Sequence, residues 1–203
     1  MNLNTVSTFF ALGALMIGAA VIVVAAIAVL ARFSEGAARI WESIVISAGP
    51  QALWLGWVMA VIATLGSLYY SEVADLVPCT LCWYQRIAMY PWAIVLGIMA
   101  WNRERFAARY TLPVVIIGFG ISTYHYLLQR FPDALPEAAC SATVPCSAAY
   151  IWKFDLVSIP FMAGVSFAAI CTTLLIHRAW LARLEEDGEP RTMVGTEPEE
   201  PSR

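Results

Sequence analysis

Charge is the first scarcity of this chain. Only 13% of its 203 residues are Asp, Glu, Lys or Arg, about half the share found in an ordinary soluble domain. The twelve Lys and Arg form no basic stripe and the net charge is −3, which leaves no electrostatic footprint for nucleic acid. Histidine is almost absent: the only two, His125 and His177, lie far apart in the sequence, which argues against a His-based metal site. There is no haem-attachment motif, iron–sulfur spacing or Gly-rich dinucleotide fingerprint. A thioredoxin-like βαβ pattern is missing as well. Residues 1–31 contain no basic residue. They therefore lack the n-region of a signal peptide, and their apolar stretch outlasts an h-region, so a retained helix is expected.

What the chain has in excess is apolar surface. Hydrophobic residues make up 60%, and the mean hydropathy is +0.69. A soluble protein this small has too little interior to hide so much. Eight Trp and eight Tyr suit two membrane interfaces. A soluble globular enzyme and a disordered chain are both excluded, and an all-α integral membrane protein is expected, since helices satisfy their own backbone groups in lipid. Five apolar runs reach or approach the roughly 20 residues that cross the hydrocarbon. Their cores are 9–30, 52–70, 87–102, 110–129 and 156–176. Segment 37–48 puts Ile40, Trp41, Ile44, Val45 and Ala48 at helical spacing among polar residues, as a helix lying in the interface does. Beyond Leu184 the chain turns Glu/Pro-rich and reads as a disordered acidic tail.

Lys/Arg placement orients the spans. The 32–50 loop, the 102–110 loop and the C-terminal tail carry Arg32, Arg39, Arg103, Arg105, Arg109, Arg178, Arg183, Arg191 and Arg203. The opposite side carries only Arg86, Arg130 and Lys153. The positive-inside bias puts the N-terminus outside, the C-terminus in the cytosol, and the 76–86 and 130–155 loops outside.

Four of the five cysteines fall in those two outer loops: Cys79 and Cys82 as C-x-x-C, and Cys140 and Cys146 in C-S-A-T-V-P-C. The outside is where disulfides persist. Three chemistries fit four thiols there: two structural disulfides, a four-thiolate zinc site, or exchange between two redox pairs. Exchange is favoured, because a C-x-x-C bridge closes a tight, labile ring. Cys82 stands at a helix start, where the dipole favours thiolate, and Arg86 lies one turn on along the same face. A protein disulfide forms only if two electrons leave, and a lipid-soluble quinone is the acceptor that remains by elimination. Cys171, inside the last run, reads as a packing residue. His125 sits in the outer half of its span, where contact with a quinone, proton transfer and a bond to a neighbouring helix all remain open. For Glu72 and Asp75 a place at the membrane boundary is favoured over help in handling protons, and His177 lies at the cytosolic end of the last span.

The string P-C-T-L-C-W-Y-Q-R-I-A-M-Y-P over 78–91 resembles the redox signature of the DsbB/BdbC family of membrane thiol oxidases. Tyr124-His125-Tyr126, the Cys140…Val144-Pro145-Cys146 pair and Phe154-Asp155 through Ile159-Pro160-Phe161 extend the resemblance over roughly 52–176. The resemblance implies a four-helix bundle that binds quinone, ubiquinone or menaquinone, in the cell membrane. It implies a DsbA-like thioredoxin-fold partner on the extracytoplasmic side. Cys140 would be attacked by the reduced partner, and Cys146 and Cys79 would relay the exchange. Cys82 would face the quinone and form a thiolate–quinone adduct with it, with Arg86 supporting it. The close spacing of the second pair is similar to the short-loop BdbC branch. The expected organisation is an added transmembrane helix over 1–33, a cytosolic interfacial segment over 34–50, a redox bundle over 51–184 and the tail over 185–203. Two further readings are a vitamin K epoxide reductase-like quinone enzyme, in which C-x-x-C follows rather than precedes the loop cysteines, and a non-catalytic membrane scaffold. A transporter is disfavoured by the scarcity of mid-membrane charge.

Overall fold

The computed structural model describes residues 3–133, 140 and 144–188. Among these the regular structure is all helical, apart from one isolated bridge between Lys153 and Val157. The helices are α1 (Leu3–Leu30), α2 (Glu35–Ala48), α3 (Ala52–Leu68), α4 (Thr80–Met89), α5 (Trp92–Trp101), α6 (Ala107–Arg130) and α7 (Ile159–Glu186). Four uninterrupted helical runs are long and apolar enough to cross a membrane: Leu3–Leu30, Glu35–Val73, Ala107–Arg130 and Ile159–Glu186. The all-α membrane class expected from composition is therefore what the structure shows.

The expected span over 87–102 takes a different form. It is divided into α4 and α5, with Tyr90 and Pro91 between them still in right-handed helical conformation. Proline has no N–H to give to the preceding turn, so the ladder breaks there while the helical path continues. From Thr80 to Trp101 that path is about 33 Å at 1.5 Å per residue, enough to cross. The break also lets α4 be polar: Cys82, Gln85 and Arg86 project from it while α5 is wholly apolar.

Segment 37–48 is helical as expected, within α2, and joins α3 through a 3₁₀ turn at Gly49–Gln51. The run Glu35–Val73 would be about 58 Å long if straight, nearly twice the hydrocarbon thickness. Its end is a π-helical turn, Tyr69–Val73, which leads to the C-x-x-C segment. Of the acidic tail expected over 185–203, residues 185–188 are described. Glu185 and Glu186 belong to α7, and Glu185 pairs with Arg105 at 2.9 Å. From residue 189 onward the expected tail lies outside the described residues.

The core lies among α3, α5, α6 and α7. Leu96, Val115, Phe167, Ile170 and Leu174 are buried at its centre. Small residues permit this closeness. At Gly118 a Cβ would stand 2.4 Å from Cε1 of Phe167, so the Phe167 ring rests directly on the backbone of α6. Trp57 of α3 reaches across to α5 and donates from Nε1 to the Ala93 carbonyl at 2.9 Å. This core is what holds the two ends of the C-x-x-C segment, α3 and α4, against α6 and α7. Between α6 and α7 the chain makes a tight turn at Lys153–Val157, with Phe154 and Asp155 left-handed at φ 55° and 52°.

Gly118→Ala is expected to destabilise the bundle by about 1–3 kcal/mol, because the added Cβ forces the Phe167 ring out of its packed position. Gly120→Ala, where a Cβ meets nothing within 4 Å, serves as the control and is expected to be neutral or slightly stabilising. The thermal unfolding midpoint in detergent reads both.

Candidate functional site

The C-x-x-C segment is positioned by the start of α4. Cys79 is the N-cap, extended at φ −73° and ψ 173°, and its Sγ accepts the Cys82 backbone N–H at 3.4 Å. A sulfur in this place receives one of the N–H groups that a helix leaves unsatisfied at its start. The next turn brings Cys82 Sγ to 3.1 Å from Cys79 Sγ, as a pair of free thiols. The sequence led us to expect the helix dipole to favour thiolate at Cys82. The structure gives the direct N–H contact to Cys79 instead, because Cys79 rather than Cys82 occupies the capping position.

His125 comes up from α6 into the same place. It is 1% exposed. Its Nε2 lies 3.2 Å from the carbonyl of Cys146 and 3.6 Å from Cys79 Sγ, and its Nδ1 lies 3.0 Å from Gln85 Nε2. A carbonyl can only accept, so Nε2 carries the proton. Nδ1 is then the acceptor, and the Gln85 amide donates to it. The imidazole is therefore held through both ring nitrogens, with the Nε2 N–H facing the Cys146 carbonyl and the Cys79 sulfur.

The second pair closes over this histidine. Cys140 and Cys146 are joined by a disulfide. Cys146 is fully buried, in one cluster with Cys79, Leu81 and Leu128, whereas Cys140 is half-buried at the edge of that cluster. The two pairs thus meet, with His125 at the junction. The disulfide removes two ligands from the four-thiolate zinc arrangement. The remaining set is Cys79, Cys82 and His125, whose ligand atoms lie within 4.8 Å of one another.

On its other side Cys82 opens on a cavity of about 280 Å³. One end is polar, with Cys82, Gln85, Arg86, Ser67 and Tyr70, and the remainder is walled by apolar side chains of α1, α3 and α7. Arg86 is held by Ser67: Nε donates to Ser67 Oγ at 3.1 Å and Nη2 to the Ser67 carbonyl at 3.1 Å. The Tyr90 hydroxyl donates to the same Oγ at 3.1 Å. The guanidinium lies over Trp83 and Tyr90, 5.2 and 5.9 Å from their ring centroids. The ion pairs among the described residues are Arg105–Glu185 and Arg183–Glu42, so Arg86 presents an unneutralised cation to the cavity.

Of the residues singled out from sequence, Cys79, Cys82, His125, Cys140 and Cys146 are brought together, and Cys82 and Arg86 share the cavity wall. His125 does not line that cavity, because its ring nitrogens are engaged at the thiol junction. Glu72 bonds to Ser71 in the π turn, and His177 is buried beside Trp180 at the far end of α7. Sequence reasoning missed Ser67, Gln85 and Tyr90. Gln85 and Tyr90 sit in the quoted signature string, but nothing in their spacing disclosed their partners. Ser67 is one hydroxyl in an apolar run.

The Cys79 thiol, just ahead of α4, titrates well below its ordinary value of 9.0. The hydrogen bond with Cys82 is the largest cause, burial opposes it, and His125 adds a further lowering. In the dithiol form this group adds stability above the unfolded thiol's pKa, and that contribution is lost as pH falls through the depressed value. In a Cys171→Ala background, His125→Leu is expected to move the thiolate absorbance midpoint to higher pH. A midpoint unchanged by the substitution contradicts the role given to Nε2.

The family described as "Disulfide bond formation protein DsbB" matches residues 50–180. Disulfide bond formation protein C of Bacillus subtilis is 47% identical over 118 residues, covering 58% of this chain and 86% of the relative. A probable disulfide formation protein of Oceanobacillus iheyensis is 48% identical over 121 residues, 58% of this chain and 82% of the relative. One from Coxiella burnetii is 43% identical over 126 residues, 62% and 85%. No solved structure matches. With two cysteine pairs meeting at one end of a bundle of membrane helices, the chain belongs to the DsbB family of disulfide bond formation proteins, with relatives of the C type.

Proposed function

We propose that the protein is a protein-dithiol:quinone oxidoreductase of the cell membrane. It reoxidises a DsbA-like thioredoxin-fold thiol oxidase on the extracytoplasmic side and passes two electrons to a membrane quinone. The observation that carries this reading is the placement of Cys82 between a buried relay of sulfurs and an apolar cavity with an unpaired cation. The Lys/Arg asymmetry supports the orientation, with the cysteine loops outside.

Each exchange balances. A thiolate of the reduced partner attacks Cys140, the more accessible sulfur of the outer disulfide, and Cys146 leaves as thiolate. The partner's second thiol then displaces Cys140, releasing the partner oxidised and the outer pair reduced. Cys146, buried beside Cys79, next attacks the Cys79–Cys82 disulfide at Cys79, and Cys82 leaves toward the cavity. Cys140 closes back on Cys146 and frees Cys79. The outer pair is then a disulfide and the inner pair a dithiol, the arrangement described above. The inner pair becomes a disulfide again by losing two electrons and two protons. The cavity residues fit a quinone: the apolar walls take a hydrocarbon tail, and Arg86 and the Ser67 hydroxyl suit a ring oxygen that gains negative charge. A quinone bound there supplies the two-electron sink. Gln85 orients His125, and Nε2–H stabilises the Cys79 sulfur as thiolate. His125 is thereby a positioning residue for the relay rather than a quinone ligand.

The test is anaerobic mixing of purified protein with a reduced thioredoxin-fold dithiol and a quinone, following quinone absorbance. Cys82→Ser and Cys140→Ser are each expected to abolish turnover. Arg86→Ala removes a charged hydrogen-bond donor, worth about 10- to 100-fold in kcat/KM, and Arg86→Lys recovers part of it. Absence of turnover with intact cysteines, together with stoichiometric zinc bound through Cys79, Cys82 and His125, would overturn the reading.

A further inference from the structure

The cavity beside Cys82 has a wall that lies outside the family match. Residues 50–180 carry that match, yet Phe9, Phe10, Gly13, Ala14 and Ile17 of α1 line the cavity. These positions recur every three to four residues, so they form one face of the helix. Facing them are Met59, Ile62 and Ala63 of α3, and Met162, Ala163 and Ser166 of α7.

α1 is fixed in this position by contacts along its length. Ala11 is fully buried, and a Cβ on Gly18 would stand 3.5 Å from Val165 of α7. The Phe10 ring lies 6.1 Å from that of Tyr70, at the cavity's polar end, and rests against Gly66. At the helix start Asn4 accepts a hydrogen bond from Lys153, in the turn that precedes α7. The outward face of α1 is of a different kind: Met16 and Ile22 are 74% and 70% exposed and suit lipid.

We infer that α1 is an acceptor-selectivity element, whose face from Phe9 to Ile17 closes the cavity beside Cys82 and holds the first part of a membrane quinone's isoprenoid tail. The inference rests on the quinone reading above. The cavity is polar where it meets Cys82 and Arg86 and apolar along α1. From Phe10 to Ile17 the helix rises about 10 Å, farther than a single quinone ring extends. The volume is at the small end of ligand sites, which suits a ring with a short length of tail. Gly13 leaves room at the middle of this face, since a Cβ there meets nothing within 4 Å. A larger side chain at Gly13 would occupy the space of the tail without pressing on the bundle.

The experiment uses the full chain in its oxidised form, with no partner, and two quinones of identical ring, one with an isoprenoid tail and one without. Dissociation constants come from quenching of tryptophan fluorescence, and KM values from separate turnover assays in which a reduced thioredoxin-fold dithiol supplies the electrons. Gly13→Leu is expected to weaken binding of the tailed quinone about tenfold, the equivalent of two buried CH₂ groups. It should change binding of the tailless quinone less than about twofold. Phe10→Ala, which removes a wall instead of adding bulk, is expected to weaken the tailed quinone selectively as well. Ile22→Ala, on the lipid-facing side, is the control and should change neither. Equal affinities for both quinones in wild type and in both cavity variants would overturn the inference while leaving quinone reduction intact; α1 would then hold an ordinary lipid chain. If wild type neither binds nor reduces either quinone, the quinone reading itself fails, and the inference with it.

Discussion

A buried imidazole has two nitrogens to satisfy and, when neutral, one proton with which to do it. At the centre of this protein the Cys146 carbonyl claims that proton's side of the ring and Gln85 the other. Most of the site follows from this constraint. It ties the loop bearing the second cysteine pair to α6, and α6 to α4. It sets a single N–H between a carbonyl and the Cys79 sulfur. Leaving any of these groups unpaired would cost about 1–3 kcal/mol in a place that water does not reach. The histidine is therefore a structural tie that also lies within reach of the chemistry, and its substitution would be felt in both.

The site divides polar from apolar work at one residue. On one side of Cys82 lie sulfur, imidazole and amide; on the other lies a greasy cavity with one cation at its polar end. Arg86 is held in this setting by neutral partners, the Ser67 hydroxyl and carbonyl and two aromatic faces. A carboxylate partner would neutralise it and leave nothing for an incoming group. Aromatic and hydroxyl contacts steady the side chain while leaving its charge available.

The sequence disclosed the class of fold through composition, and cysteine spacing picked out the four sulfurs that the structure brings together. Cys82 and Arg86 were legible as a pair because i and i+4 share a helix face, which is local geometry. Ser67 and Gln85 were not legible, since their roles depend on which helices meet, and an isolated hydroxyl or amide carries no periodicity. The span over 87–102 was legible in extent but not in form. Its charge-free run starts at Ile87, whereas the helix starts at Thr80 and is broken at Pro91. Apolar pattern cannot separate a helical turn that carries polar chemistry from a loop. Cys79 as the N-cap was likewise hidden, because sulfur is not among the usual capping side chains.

The unequal burial of the outer pair has a kinetic side. In the proposed exchange, with only Cys140 open to an incoming thiolate, every encounter would produce the same mixed disulfide and leave the same sulfur, Cys146, beneath the surface. That sulfur then has two targets. It can return to Cys140, six residues away in sequence, and eject the partner unchanged, or it can go on to Cys79 once Cys140 has been released. Return is intramolecular and costs no diffusion. Forward flux therefore depends on how fast the partner's own second thiol resolves the mixed disulfide. A monothiol of similar size can be captured here again and again without being oxidised. In the proposed exchange the buried sulfur would make the protein a counter of thiols, favouring donors that bring two over donors that bring one.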